Sequence, residues 1–314
     1  MVEQRNAFEG ETTRVEDVLR PLASDVRLRI VRALIGSPGK TLSYSDLQRA
    51  SGIKDSGQFS YHLRQLQGQF VTQTDDGYRL RYSAVALYQA LLAGTALGEN
   101  EPRTIDTESP CPACDGLLEA HYCDDMLTIS CPDCRHFVHH VPFLPGGAEG
   151  KSDAGLLRTF DHQTRSMITS AVSGICPYCG GEMGHEFVER DWTEEHEEED
   201  TTQSDDTLVR PKAVPHCDNL VHYRCDRCSG ELRTSVGETL LGKPPVVAFY
   251  YDHGVDVRAV PSWELAFCVD RDAVTTLSSD PYEFGVAVTL GEETLHVTVD
   301  ESLLVVEAER TPAA

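Results

Sequence analysis

The stretch Cys111-Pro-Ala-Cys114, followed by Cys131-Pro-Asp-Cys134, decides the fold of the larger part of this 314-residue chain. The two Cys-x-x-Cys pairs are 16 residues apart, a spacing typical of a zinc ribbon. In a ribbon each pair forms a tight turn, or knuckle, that aims both sulfurs at one point, and two knuckles on adjacent hairpins complete a tetrahedron. The sequence therefore predicts a closed four-cysteine zinc site held by β-hairpins.

A second set of the same kind follows. Cys176-Pro-Tyr-Cys179 and Cys225-Asp-Arg-Cys228 are separated by 45 residues, which is long for a ribbon. The acidic run 189–206 accounts for much of the excess, and its mutually repelling carboxylates predict a disordered loop inserted at the ribbon tip. We therefore expect a second zinc site. The two halves form a weak internal repeat, because each set of knuckles precedes a predicted helix (152–173, then 244–254).

The residues around the pairs fit metal binding. Gly116, Gly180 and Gly230 follow the second cysteine of a pair, where a curled backbone lets amides donate hydrogen bonds to thiolates. Among the other cysteines, Cys268 is expected to be a small buried side chain and Cys217, beside His216, is a candidate alternative ligand. Four histidines are expected at the surface or just outside the closed first site: His121, His136, His139 and His140. Cys123 has no assigned role.

Other uses of paired cysteines fit less well and stay open as alternatives. Disulfides require an oxidising compartment, whereas the start Met-Val-Glu-Gln-Arg-Asn has no signal-peptide pattern. A thioredoxin-like redox centre needs one Cys-x-x-Cys pair in a βαβ context, and this chain has four pairs. Iron–sulfur ligation and ribbons that have lost their metal are the remaining alternatives.

The first hundred residues predict a helical unit with one hairpin. Apolar residues at 26, 30, 33 and 34 form a helical stripe. Ser43-Tyr-Ser-Asp46 predicts a capping box, in which the side chains of Ser43 and Asp46 each accept from the backbone amide of the other. This box begins a helix over 44–51, which Gly52 ends. Asp55 caps a second helix that extends to Gln67. The turn Asp75-Asp-Gly77 predicts a hairpin between 71–74 and 78–82, followed by a helix over 83–97.

The second of these helices has two chemically different faces. Phe59, Leu63 and Leu66 lie at i, i+4 and i+7 and are expected to face the core. The outward side chains form hydrogen bonds and are long enough to reach base edges and phosphates in a major groove. Alternation along the hairpin places two arginines on one of its faces. The candidate DNA-binding residues are Ser56, Gln58, Ser60, Tyr61, His62, Arg64, Arg79 and Arg81, with His62 at the border of the buried face.

Helix, helix, recognition helix, hairpin and helix is the order of a winged helix. Leu22-Ala-Ser-Asp-Val-Arg-Leu-Arg-Ile30 and Tyr61-His-Leu-x-x-Leu66 resemble the ArsR-type winged-helix transcriptional regulators, and Asp55-Ser-Gly-Gln-Phe-Ser-Tyr-His-Leu63 is similar to a branch common in haloarchaea. The resemblance covers about residues 14–98 and implies a homodimer built through the first and last helices, here Arg14–Leu22 and Ser83–Leu97. Metal-sensing members place ligands in the second or last helix, where this sequence (42–47, 84–97) has neither Cys nor His. No metal-sensing site is therefore predicted there.

The formal net charge of −24 is unevenly spread. Residues 1–98 contain 12 basic and 10 acidic residues, whereas residues 99–314 contain 15 and 41. A neutral to basic head on an acidic body is expected when only the head faces phosphate. Only five residues are lysine, and an acidic surplus with few lysines resembles the proteins of extreme halophiles; a mesophilic acidic protein is the alternative.

The sequence as a whole predicts an α+β protein in consecutive parts. These are a winged helix (14–98), a linker (99–110), a first zinc ribbon with a helix (111–175), a second ribbon (176–255) and a C-terminal β-hairpin region (256–314). We expect a cytoplasmic regulator that binds double-stranded DNA and whose zinc-ribbon body senses a signal or contacts transcription machinery. It is not expected to be an enzyme, since closed metal sites leave no open coordination position. The longest apolar stretches are too short for a membrane span. The alternative is an interaction or redox-sensing zinc-ribbon protein whose winged helix docks protein.

Overall fold

A computed structural model describes residues 20–37, 41–91, 93, 101–189 and 219–313. The chain divides into two units, Met1–Gly98 and Glu99–Ala314, and each is described here by itself. Every strand pair in the four sheets is antiparallel, which agrees with the predicted α+β class. No helix in the described ranges has the length and apolar character that crossing a membrane requires.

The first unit packs helices against a three-stranded sheet of order β1-β3-β2. Its core is formed by the apolar faces of the first and third helices, with Phe59 and Leu66 fully buried. Its elements are α1 (Asp25–Ile35), β1 (Thr41–Leu42), α2 (Tyr44–Ser51), α3 (Ser56–Leu66), β2 (Val71–Thr74), β3 (Gly77–Leu80) and α4 (Tyr82–Ala90).

Local signals set the helix ends of this unit. The Ser43 hydroxyl accepts from the Asp46 amide (3.2 Å), as predicted, but the Asp46 carboxylate accepts from the Ser43 hydroxyl (2.7 Å) instead of its amide. Gly52, at φ +67°, ends α2, and Asp55 caps α3 by accepting from the Gln58 amide (2.5 Å). The prediction that the hairpin continues to Tyr82 is wrong. The Arg81 carbonyl accepts from the amides of Ala84 (3.1 Å) and Val85 (3.3 Å), so the chain turns into α4 after Leu80.

The second unit contains three antiparallel sheets and several helices. The sheet orders are β4-β5-β6-β7, β10-β9-β8 and β11-β12-β13-β14. The strands are β4 (Arg103–Pro110), β5 (Leu117–Cys123), β6 (Met126–Ser130), β7 (Phe137–Pro142), β8 (Met183–Glu189), β9 (Asn219–Cys225), β10 (Glu231–Ser235), β11 (Val274–Ser279), β12 (Tyr282–Leu290), β13 (Glu293–Asp300) and β14 (Val305–Pro312). The α-helices are α5 (Pro145–Ala148), α6 (Asp153–Val172), α7 (Pro244–Asp252) and α8 (Ala266–Val269).

Several predicted elements of the second unit are confirmed. Helix α6 is capped by Ser152 and buries Leu156, Phe160 and Ile168, and α7 lies within the predicted 244–254. The C-terminal hairpin is β12 and β13, whose Val286 and Val297 face the core, followed by a further strand. That strand, β14, pairs with β13 as far as Pro312.

The predicted linker 99–110 is wrong over residues 103–110, which form β4 and pair with β5. The polar sequence of this strand gave no sign that it is paired and partly buried, because the hydrogen-bond partners of its buried Ser109 are far away in the sequence. Its hydroxyl accepts from Trp263 Nε1 (3.1 Å) and donates to Glu264 (2.7 Å). The predicted division of the body at 175 and 255 is also wrong, since one continuous hydrophobic core runs from Ile105 to Leu303.

A buried polar network lies within this core. His139 Nε2 is 3.3 Å from Ser262 Oγ, and its Nδ1 is 3.7 Å from a Glu238 carboxylate oxygen. Asp161 accepts from the Ser262 amide (2.8 Å) and from Arg165 (2.8 Å). Ser262 is only 1% exposed, so we assign this serine, histidine and glutamate to packing. The prediction that His139 lies at the surface or beside the metal ligands is therefore wrong.

Burial sets the protonation of this network. It lowers the pKa of His139 to about 4 and raises the pKa of Glu238 to about 7, although the Ser235 amide donates to that carboxylate (2.8 Å). His139 is therefore neutral at pH 7. Glu238 is about half protonated there, which keeps about half of its carboxylate charge out of the interior.

Glu238→Gln is expected to remove a pH-dependent loss of stability. The folded-state pKa of about 7 exceeds the ordinary 4.5, so the unfolded chain ionises first. The wild type then loses stability as the pH rises from 4.5 to 7 and is level above 7. At about 1.4 kcal/mol per pKa unit, the gap from the variant grows by about 3 kcal/mol at most. Urea unfolding followed by tryptophan fluorescence measures this, because Trp263 is buried in the core of the second unit.

The control is Glu292→Gln in an exposed turn, which is expected to follow the wild type at every pH. Equal pH profiles for Glu238→Gln and the wild type would contradict the assigned protonation of Glu238.

Candidate metal centres and nucleic-acid interface

All four Cys-x-x-Cys pairs have the same backbone geometry. In each knuckle the amide of the first cysteine donates to the carbonyl five residues later: Cys111 to Gly116 (2.9 Å), Cys131 to His136 (2.7 Å), Cys176 to Gly181 (2.9 Å) and Cys225 to Gly230 (3.0 Å). The residues that flank each knuckle pair in the same register: Pro110 with Leu117, Ser130 with Phe137, Ile175 with Glu182, and Arg224 with Glu231. The weak internal repeat predicted from the sequence is therefore present in the backbone.

Backbone amides point at the sulfurs, as a thiolate site requires. Four of them donate at 3.4 Å: Ala113 to Cys111, Gly116 to Cys114, Gly181 to Cys179 and Arg227 to Cys225. Gly116 thus has its predicted role. In the third knuckle the donor is Gly181, whereas the predicted Gly180 supplies the turn at φ +70°. His136 takes the place of a glycine in the second knuckle, and it is buried there, which the sequence did not predict.

The knuckles bring eight sulfurs together in two sets of four. Cys111, Cys114, Cys131 and Cys134 form the first cluster, and Cys176, Cys179, Cys225 and Cys228 form the second; within each, the Sγ atoms lie within 4.8 Å of one another. The closest pairs are 3.6 Å apart in the first cluster and 3.6 and 3.7 Å in the second. Four thiolates at about 2.3 Å from a zinc ion stand about 3.8 Å apart, so these positions fit a tetrahedral metal. They are far beyond the roughly 2.05 Å of a disulfide.

The protein environment acts on the thiols in two ways. The amides of Cys228 and Arg227 lower the pKa of Cys225 to about 7, which favours the thiolate that a metal needs. Burial raises the pKa of Cys111 to about 12, so this thiol ionises only when a cation binds.

Cysteines outside the clusters do not approach them as ligands in the described part of the chain. Cys268 is buried, as predicted, and Cys123 is half-buried. Cys217 and the acidic run from 190 lie outside the described residues, and Glu189 ends strand β8.

The candidate DNA-binding residues lie in the first unit, mostly on α3. Gln58, Tyr61 and Arg64 are exposed, and His62 is half-buried, where burial and the Arg27 charge lower its pKa. Arg79 on β3 and Arg81 before α4 are also exposed, although the early end of β3 removes Arg81 from the hairpin.

Two of the predicted base readers are held by a residue that the sequence did not single out. Tyr44 Oη lies 2.5 Å from Ser60 Oγ and 3.3 Å from Ser56 Oγ, so both hydroxyls have a partner within the unit. Tyr44 stands at the start of α2, 12 residues before Ser56. Its place in the helix that precedes α3 was the only sequence feature that pointed to these hydrogen bonds.

Cobalt titration is expected to reveal two tetrahedral sites. The full chain should bind two Co²⁺ with thiolate charge-transfer and visible d–d absorption, because each cluster offers four sulfurs and no oxygen or nitrogen. Cys111→Ser and Cys176→Ser should each remove one equivalent, whereas Cys268→Ser, outside both clusters, should bind two. A single equivalent in the wild type, or spectra of octahedral cobalt, would contradict the assignment.

Two sequence families match the chain. A domain of unknown function (DUF7351) matches residues 108–305, which is more than half of the chain, and another (DUF7347) matches residues 15–91. No curated protein and no solved structure matches it.

Proposed function

The chain belongs to the family of the domain of unknown function DUF7351, and we propose that it is a transcriptional regulator. Its first unit is proposed to be a winged helix that binds double-stranded DNA, and its second unit to hold two structural zinc ions. The observation that carries the proposal is the division of α3 into two faces. Phe59, Leu63 and Leu66 are buried, while Gln58, Tyr61 and Arg64 are exposed on the same helix.

The arrangement of α3 suits insertion into a major groove. Both α2 and α3 are capped, and the αL glycine Gly52 sets the turn between them. Tyr44 fixes α3 against α2 through Ser56 and Ser60. A helix held in this way presents its exposed side chains at defined positions, which reading base edges requires.

The charge of the first unit supports a polyanionic partner. Residues 20–98 contain 10 basic and 5 acidic residues, in a chain whose net charge is −24. Two of the arginines form ion pairs in the described residues, Arg29 with Asp25 (3.5 Å) and Arg49 with Asp46 (3.0 Å). Arg64, Arg79 and Arg81 stay exposed for phosphate or base contacts.

Zinc is the metal that best suits the clusters. Four thiolates in two amide-lined knuckles form the closed tetrahedral site that zinc occupies in structural domains. A closed site has no position for substrate, so its chemical contribution is to cross-link strands and stabilise the second unit. Homodimerisation through the first unit and contact with transcription machinery through the second are further parts of the proposal.

Arg64→Ala is expected to weaken DNA binding. Selection of a 30-base-pair random library for binding to the full chain should yield a preferred sequence. The variant should bind this sequence at least about 10-fold more weakly than the wild type, because one arginine contact is worth about 1–3 kcal/mol. Fluorescence anisotropy at several salt concentrations measures this. If Arg64 contacts a phosphate, the salt slope falls by about 1; if it reads a base, the sequence preference relaxes.

The matched control is Arg32→Ala, which removes the same charge from the exposed side of α1 and is expected to bind as the wild type does. A wild type that selects no sequence and binds no duplex would contradict the DNA proposal. The exposed Tyr61 side of α3 would then be tested as a protein-docking surface.

A further inference from the structure

The two metal clusters share one scaffold but differ at equivalent positions. Because the four knuckles have the same hydrogen bonds and register, residues of one cluster can be matched individually to residues of the other. The position two residues after the first cysteine of a knuckle is the informative one. In the first cluster it is occupied by Ala113 and Asp133, and in the second by Tyr178 and Arg227.

A carboxylate borders the first cluster. A Cβ atom built on Gly116 would collide with the Asp133 carboxylate and would stand 3.3 Å from Cys131 Sγ. Asp133 and this sulfur therefore both lie against the same face of this glycine. At the equivalent place in the other knuckle, Ala113 offers only a methyl group.

A cationic side chain and an aromatic ring border the second cluster. The stem of Arg227 packs on Gly181, where an added Cβ would stand 3.1 Å from Arg227 Cβ and 3.3 Å from Cys179 Sγ. The Tyr178 ring packs on Gly230, beside Cys228 Sγ, and its hydroxyl donates to the Glu231 carbonyl (3.1 Å). Tyr178 thus links the knuckle Cys176–Cys179 to β10, the strand that follows the knuckle Cys225–Cys228.

The charges of Asp133 and Arg227 would act on the same kind of complex, a metal ion bound by four thiolates. A divalent cation with four thiolates is a doubly negative complex, which a neighbouring carboxylate repels and a neighbouring guanidinium attracts. The leading cysteine residue is also slightly less buried in the first cluster, at 6% exposure for Cys111 against 1% for Cys176.

We infer that the first cluster is the metal-exchanging site of this chain and the second a permanently held one, with Asp133 and Arg227 setting the difference. The inference rests on the proposed metal binding and adds a point of regulation to it. A fall in available metal would be felt first by the sheet β4–β7, while the sheet β8–β10 keeps its metal.

The test follows metal release from each cluster separately. The zinc-loaded full chain is mixed with the chelator 4-(2-pyridylazo)resorcinol, freed thiols are alkylated with N-ethylmaleimide at timed intervals, and peptide mass spectrometry assigns them. The first cluster is expected to be alkylated about tenfold faster or more. Asp133→Arg should slow the first cluster severalfold without changing the second, Asp133→Asn should have a smaller effect, and Arg227→Asp should accelerate only the second cluster.

The matched control is Asp272→Arg, which makes the same charge change at an exposed residue before β11 and should leave both rates unchanged. Equal rates at the two clusters of the wild type, or an Asp133→Asn protein with unchanged release from the first cluster, would overturn the inference and leave the two-zinc proposal standing. Fewer than two zinc ions in the loaded wild type would overturn the zinc proposal itself.

Discussion

The second unit depends on one constraint, the convergence of four sulfurs at each of two points. Three knuckles each join two strands, and the knuckle Cys176–Cys179 joins the isolated bridge residue Ile175 to the chain that enters β8. In all four, the closing hydrogen bond fixes the register of the residues on both sides of the knuckle. A metal in the first cluster would connect the β4–β5 hairpin to the β6–β7 hairpin, and a metal in the second would connect the start of β8 to the β9–β10 hairpin. The shared core then packs α6 and the C-terminal sheet against these two sheets.

The features that were predictable from the sequence are those in which the signal lies within a few residues. The cysteine pairs gave the clusters, and Ser43 and Asp55 gave the helix starts, because a cap bonds to an amide three residues away. Helix α6 followed from its apolar spacing. The two faces of α3 followed in the same way, from the spacing of Phe59 and Leu63.

The features that escaped prediction depend on partners far along the chain. Strand β4 looks like a linker because Ser109, one of its buried residues, is satisfied by Trp263 and Glu264, more than 150 residues later. His139 looks like a surface residue until Ser262 and Glu238 are placed around it. The single core of the second unit could not be predicted for the same reason. Its buried side chains come from segments far apart in the sequence, and each segment by itself shows only a local helix, strand or knuckle pattern.

Hydrogen exchange with and without metal tests the central claim most directly, because it reads every described amide in both units. The account predicts that chelation under reducing conditions removes amide protection from 101–189 and 219–313, the knuckle amides of Cys131 and Cys225 included, while residues 41–91 exchange as before. Unchanged protection of the second unit after complete metal removal would contradict it, since the sheets would then be held by packing alone.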